Sequence, residues 1–172
     1  MKAITLTQPW ATLVAIGAKQ IETRGWRTSY RGKLAIHAAA GYGKGGARAH
    51  KALCGTEPFC SVLNAACKAH YDALNKSGGV LRAMAESPFM PMGMIVATCE
   101  LVDCQMIGVL PSGDPAYMAY DEFPPVLQAV QEPERSFGDY TAGRWAWILT
   151  NVRALPEPIP AKGALGLWAV QL

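Results

Sequence analysis

Segments of strand length and strand composition stand at both ends of this chain, and an Ala- and Gly-rich block of helical character lies between them. Lys2 to Leu6 opens the chain as one such segment. Met94–Val102 carries Ile95, Val96, Leu101 and Val102, and Arg144–Val152 and Gly166–Leu172 follow near the end. Short runs rich in β-branched and aromatic residues read as strands. Short strands at both ends with helices between them predict a small barrel whose terminal strands pair, an α+β architecture. With 172 residues, 51% of them hydrophobic, the chain is long and apolar enough to build one core and is not disordered.

Local signals fill in the order of elements. Thr7 is expected to cap a helix that has Pro9 in its first turn. Trp10, Leu13, Val14 and Gly17 fall at i, i+3, i+4 and i+7, the spacing of one helical face, and Gly17 is placed to end it. Ile21–Arg24 reads as a brief strand, and the Arg31-Gly32 turn leads into a strand over Lys33–Ala38. Residues 40–91 are expected to be a helical insertion, with Leu63, Cys67, His70 and Leu74 on one face, Ser61 as cap, and Pro88 and Pro91 closing it. The acidic, Pro- and Gly-rich stretch 105–143 is expected to be a loop insertion. Pro156, Pro158 and Pro160 read as an extended connector after a strand that ends at Val152.

Composition narrows the function classes. No apolar run approaches the roughly 18 residues a membrane-spanning helix needs. The N-terminal apolar stretch is broken by Gln8 and Pro9, so it reads as mature sequence and the protein as cytoplasmic. Five cysteines, an odd number with no CxxC pair, argue against a disulfide framework. Charge is unevenly spread. Residues 1–51 hold nine bases and one acid, a net of +8, whereas the whole chain carries +3 and the other 121 residues therefore carry −5. A basic N-terminal third suggests a face for an anionic partner such as nucleic acid or a nucleotide, or else an unevenly solvated surface.

Three separated blocks, LTQPWATLVAIGAKQIETRGWRTSYRGKLAIHAA (6–39), MGMIVATCELVDC (92–104) and RWAWILTNVRALPEPIPAKGALGLWAV (144–170), resemble the ASCH domain, the activating-signal-cointegrator homology group of the PUA-like superfamily. The pattern G-x-K-x-x-E-x-R is met by Gly17, Lys19, Glu22 and Arg24, preceded by QPW and followed in order by KG…GLW. The resemblance implies a PUA-like small β-barrel with a cleft that binds RNA or other nucleic acid. Some small bacterial relatives are amidohydrolases acting on N4-acetylcytidine, and nuclease activity has been ascribed to others. Where those amidohydrolases carry a nucleophilic Thr three residues after the Lys, this chain has Glu22.

On a strand, Glu22 and Arg24 share a face. A carboxylate held by a guanidinium can accept hydrogen bonds from a base edge, while Lys19, Arg24 and Arg31 would contact phosphates. Trp26 and Tyr30 lie among Arg24, Arg27 and Arg31, an arrangement suited to stacking on unpaired bases. Gln8 and Lys162 are expected at the cleft. Trp10, on the apolar stripe of the first helix, is expected in the core, as are Trp145, Trp147 and Trp168. His37 reads as either a general base or a hydrogen-bonded structural group. Gly41–Gly46 formally fits G-x-G-x-x-G but lacks the βαβ context, and reads as a basic loop able to cradle a phosphate. His50, Cys54, Cys67 and His70 have helical spacing that would bring four zinc ligands together, or else they simply pack.

The expectation is therefore a single domain over 1–172 that binds RNA or single-stranded nucleic acid through a basic cleft, with no metal or cofactor, no membrane partner and no assigned oligomeric state. One alternative is a hydrolase acting on a modified nucleoside or on RNA, with Lys19 and Glu22 catalytic. Another is a protein-interaction module using the acidic 103–134 segment.

Overall fold

A computed structural model describes residues 1–76, 89–119 and 126–172. The strands are β1 (Lys2–Leu6), β2 (Ile21–Arg24), β3 (Gly32–Ala38), β4 (Met94–Met106), β5 (Gly108–Val109), β6 (Pro115–Ala119), β7 (Val126–Ala129), β8 (Trp145–Pro160) and β9 (Leu167–Ala169). The helices are α1 (Trp10–Ala15), α2 (Gly46–Cys54) and α3 (Phe59–Lys76), with a 3-10 turn over Glu134–Phe137. Among these residues no helix is long and apolar enough to cross a membrane.

The main sheet has the order β2-β8-β4-β3-β1-β9. The pairing of β1 with β9 is antiparallel, Ala3 facing Trp168, so the two end strands do meet; β1 and β3 run parallel. The two long strands β4 and β8 shift register repeatedly along their shared edge. Each such bulge bends a strand and adds twist. The sheet curls far enough that Arg24 on the β2 edge reaches the carbonyl of Thr5 on β1, at 3.1 Å. The fold is thus α+β, a curled half-barrel with helices against it.

The core follows from the pattern of apolar residues. Leu34 and Ile36 of β3, Val96 and Leu101 of β4 and Trp147 and Leu149 of β8 form one cluster, which Ala11 and Val14 of α1 complete. Leu13, on another face of α1, packs with Phe59 and Leu63 of α3 and with Phe137. A six-residue helix is too short to stand alone; burial of both faces holds it.

Four local expectations are corrected. Thr7 does not cap α1. The buried Gln8 side chain accepts the Thr12 N–H at 3.1 Å instead, because its longer arm reaches one turn into the helix. Ser61 does not cap α3, which begins at Phe59; its hydroxyl bonds Glu57 at 2.6 Å. The strand expected to stop at Val152 continues to Pro160. Ala97 faces Ala154 and Ile95 faces Ile159, so Pro156 and Pro158 fall in a bulge where no ladder donor is required. The 105–143 stretch is not a loop: it contains β5, β6 and β7 as a second sheet, and the 3-10 turn. Pro88 and the side chain of Leu74 lie outside the described residues.

Candidate nucleic-acid interface

Strands β1 and β2 converge with α1 and the 136–139 segment around a cleft of about 480 Å³. Glu22, Thr23 and Arg24 form its floor from β2, and Thr5, Leu6 and Thr7 come from the end of β1. The half-buried Trp10 supplies an apolar wall, backed by the buried Phe59 and Phe137, and Ser136 and Asp139 close the remaining side. Its size lies within the roughly 300–1,000 Å³ of small-ligand pockets. The glycine at 138 lets the last segment approach β2: a Cβ there would lie 2.7 Å from the Tyr140 ring and 3.2 Å from Thr23.

Under the cleft lies a charged network. Lys19 is 1% exposed. Its ammonium donates to the Ile21 carbonyl, sits 3.5 Å from Glu134 Oε1 and 4.0 Å from Glu22 Oε2. Glu134 also accepts the Gln20 N–H at 2.6 Å and the Tyr140 hydroxyl at 2.7 Å. Burial, reinforced by Glu134, pushes the Tyr140 hydroxyl well above the ordinary phenol range, so it is a fixed donor. These bonds fasten the 134–140 segment to the edge of β2 and thereby build the cleft wall.

Glu22 and Arg24 are brought together as their shared strand face implies, with Arg24 Nε 3.0 Å from Glu22 Oε1. The pair lacks hydrogen-bond alignment. Among the described residues Arg24 Nε is the one buried side-chain nitrogen or oxygen without a hydrogen bond. Nε itself is sealed from the cleft, but the Glu22 carboxylate and the partly exposed outer part of the Arg24 guanidinium both line it and offer an acceptor and a donor to one ligand.

The other expected residues are distributed more widely. Gln8 is buried and its amide donates to the Pro91 carbonyl at 2.8 Å, so both ends of its side chain are engaged within the fold. Arg31 pairs with Asp103 at 2.9 Å and donates to the Thr28 and Tyr30 carbonyls. Partial burial works to raise the Asp103 carboxyl, but hydrogen bonds from Gln105, the Cys104 N–H and Arg31 hold it below its usual value. Tyr30 donates its hydroxyl to the Lys33 carbonyl. Trp26 is 40% exposed and meets Trp147 edge-on at 4.7 Å. Lys162 is exposed. Neither Trp26, Tyr30, Arg31 nor Lys162 lines the cleft.

His37 is enclosed: Nε2 donates to the Ala161 carbonyl at 3.0 Å, Nδ1 lies 3.2 Å from the Thr5 hydroxyl, and Trp168 packs edge-on at 5.6 Å. Desolvation lowers its pKa despite the Ala161 bond. This is the structural alternative of the two considered. His50 bonds the Gln8 carbonyl, and Cys54 Sγ lies 3.7 Å from its Nε2 and 4.0 Å from its Nδ1. Among the described residues no three His, Cys, Asp or Glu side chains converge as a metal site requires.

Sequence reasoning missed Trp10, Phe137 and Asp139 as cleft residues. The helical stripe that marked Trp10 as core is real, but its ring stands at the end of that stripe. Phe137 and Asp139 reach β2 from more than 110 positions away in the chain, and no local signal announces that. A family model for the ASCH domain matches residues 4–159. No curated protein matches the chain.

Proposed function

Because the chain belongs to the ASCH domain family, we propose that it binds single-stranded RNA by drawing one unpaired base into the cleft between β1, β2 and the 136–139 segment. The observation that carries this reading is the Glu22–Arg24 pair, both side chains partly exposed, on the floor of a base-sized cleft that Trp10 also lines. An unpaired base presents an exocyclic amine or ring N–H for the carboxylate, an acceptor for the guanidinium and a flat face for the indole. Duplex RNA hides these edges, so single strands are the preferred form. The cleft lining itself carries Glu22, Arg24 and Asp139, which makes it a base-edge reader more than a phosphate trap.

A hydrolase working through Lys19 is disfavoured by the same geometry, since the Lys19 ammonium is buried against Ile21, Glu134 and Glu22 and does not line the cleft. Fluorescence anisotropy of labelled single-stranded and duplex RNA tests the proposal. Glu22→Gln keeps the shape and removes the charged acceptor, so single-strand affinity falls roughly tenfold or more. Unchanged affinity in that variant overturns the base pocket. Cleaved oligomer or a mass change in a modified nucleoside after incubation moves the assignment to a hydrolase.

A further inference from the structure

We infer that the glycine-rich loop 41–46 and α2 form a second subsite, which takes the phosphate adjoining the base held in the cleft. The inference rests on the base-pocket reading above and adds the chemistry of the neighbouring position. A separate cavity of about 310 Å³ borders the cleft and shares Thr7, Trp10 and Leu53 with it. The two cavities therefore adjoin along Thr7, Trp10 and Leu53. Beyond that border the walls change character, to Gly43, Lys44 and His50.

Positive charge, sparse in the cleft lining, is supplied here. Residues 40–56 contain Lys44, Arg48 and Lys51 and no acid. All three side chains are exposed, and among the described residues none is paired with a carboxylate. By contrast Lys19, Arg24 and Arg31, the residues expected from sequence to meet phosphates, are already engaged with Glu134, Glu22 and Asp103.

The loop is built to hold Lys44 at the cavity. Gly45 has φ 84°, and a Cβ on it would lie 2.6 Å from the Ala49 Cβ, so only glycine lets the chain turn back onto α2 there. His50 is fixed by its bond to the Gln8 carbonyl at 3.1 Å, and the Tyr42 ring leans on it at 5.0 Å with a tilt of 37°. Tyr42 is 44% exposed and gives the outer edge of the subsite an aromatic face. A phosphate is what an exposed ammonium beside a glycine-lined cavity recognises, and an aromatic edge suits the sugar and base beyond it.

Calorimetry on the full chain with the four ribonucleosides, their 3′- and 5′-monophosphates and short RNA oligomers tests this. One of the monophosphates is expected to bind roughly tenfold more tightly than its nucleoside, and Lys44→Ala to remove that increment while leaving nucleoside affinity unchanged. The slope of log K against log salt for the oligomers then falls by about 0.7, the value of one lost single-strand phosphate contact. Nucleoside binding with no phosphate increment overturns this subsite alone, as does an increment that survives Lys44→Ala. A Lys44-dependent increment with no effect of Glu22→Gln keeps the subsite and overturns the base pocket. No binding of any probe overturns both.

Discussion

Replacing Lys19 with Met separates a residue that contacts RNA from one that builds the RNA site. Lys19 is 1% exposed, and removing its ammonium strips the Ile21 carbonyl of a donor and takes the cation from both Glu134 and Glu22. Glu22 keeps its Arg24 partner, and Glu134 is left only the neutral donors Gln20 N–H and Tyr140 hydroxyl. Losing one partner of a fully buried ion pair costs about 3–5 kcal/mol. Here the two carboxylate side chains keep 12% and 17% exposure, so the lower end applies, about 3 kcal/mol. For a chain of this length that lowers Tm by roughly 6–12 °C. Urea unfolding followed by tryptophan fluorescence and far-UV circular dichroism reads it, provided both probes give one transition. Adding Glu134→Gln removes the uncompensated charge and recovers at least about 1 kcal/mol, although each single substitution is destabilising. A loss below about 1 kcal/mol, with RNA affinity nonetheless abolished, would refute the reasoning and return Lys19 to the phosphate-contacting role that its sequence position suggests.

Two further outcomes follow from buried titratable groups. His37 is held neutral because desolvation lowers its pKa from 6.5. The unfolded chain therefore binds the proton more readily, and the stability His37 contributes is full above about pH 6.5 and lost as pH falls through the depressed native value. Urea unfolding at pH 7.5 and 5.5 is expected to show this acid loss in the wild type and a smaller one in His37→Gln. Cys99 and Cys104 are buried, and burial pushes the Cys99 thiol up to about 12 and raises that of Cys104. Maleimide labelling of the native protein, read by mass spectrometry, is expected to reach the half-buried Cys54, Cys60 and Cys67 first and these two only after unfolding.

Much of the frame was legible because its signals are local. The first three strands, the turn at Gly17 and the shared face of Glu22 and Arg24 all come from spacing within a few residues. The meeting of the end strands followed from their length and position. What escaped depends on contacts far apart in the chain. Glu134 lies 115 positions from Lys19, so nothing in the local pattern announces that this lysine is buried. The charge asymmetry is redistributed for the same reason: Asp103 and Glu134, from the acidic stretch, neutralise Arg31 and Lys19 of the basic third inside one fold, while Lys44, Arg48 and Lys51 stay exposed. The second sheet was hidden because β5, β6 and β7 have two to five residues each and sit among prolines, glycines and acids, which read as loop.

Where an RNA base sits is the central claim, and photo-crosslinking reads it most directly. Short single-stranded RNA carrying 4-thiouridine is irradiated with the full chain, and the linked peptide is mapped by mass spectrometry. The account predicts linkage at Trp10, the half-buried aromatic side chain lining the cleft, and its loss when unlabelled RNA competes. Linkage confined to Trp26 and Tyr30, on residues outside that cleft, would contradict it.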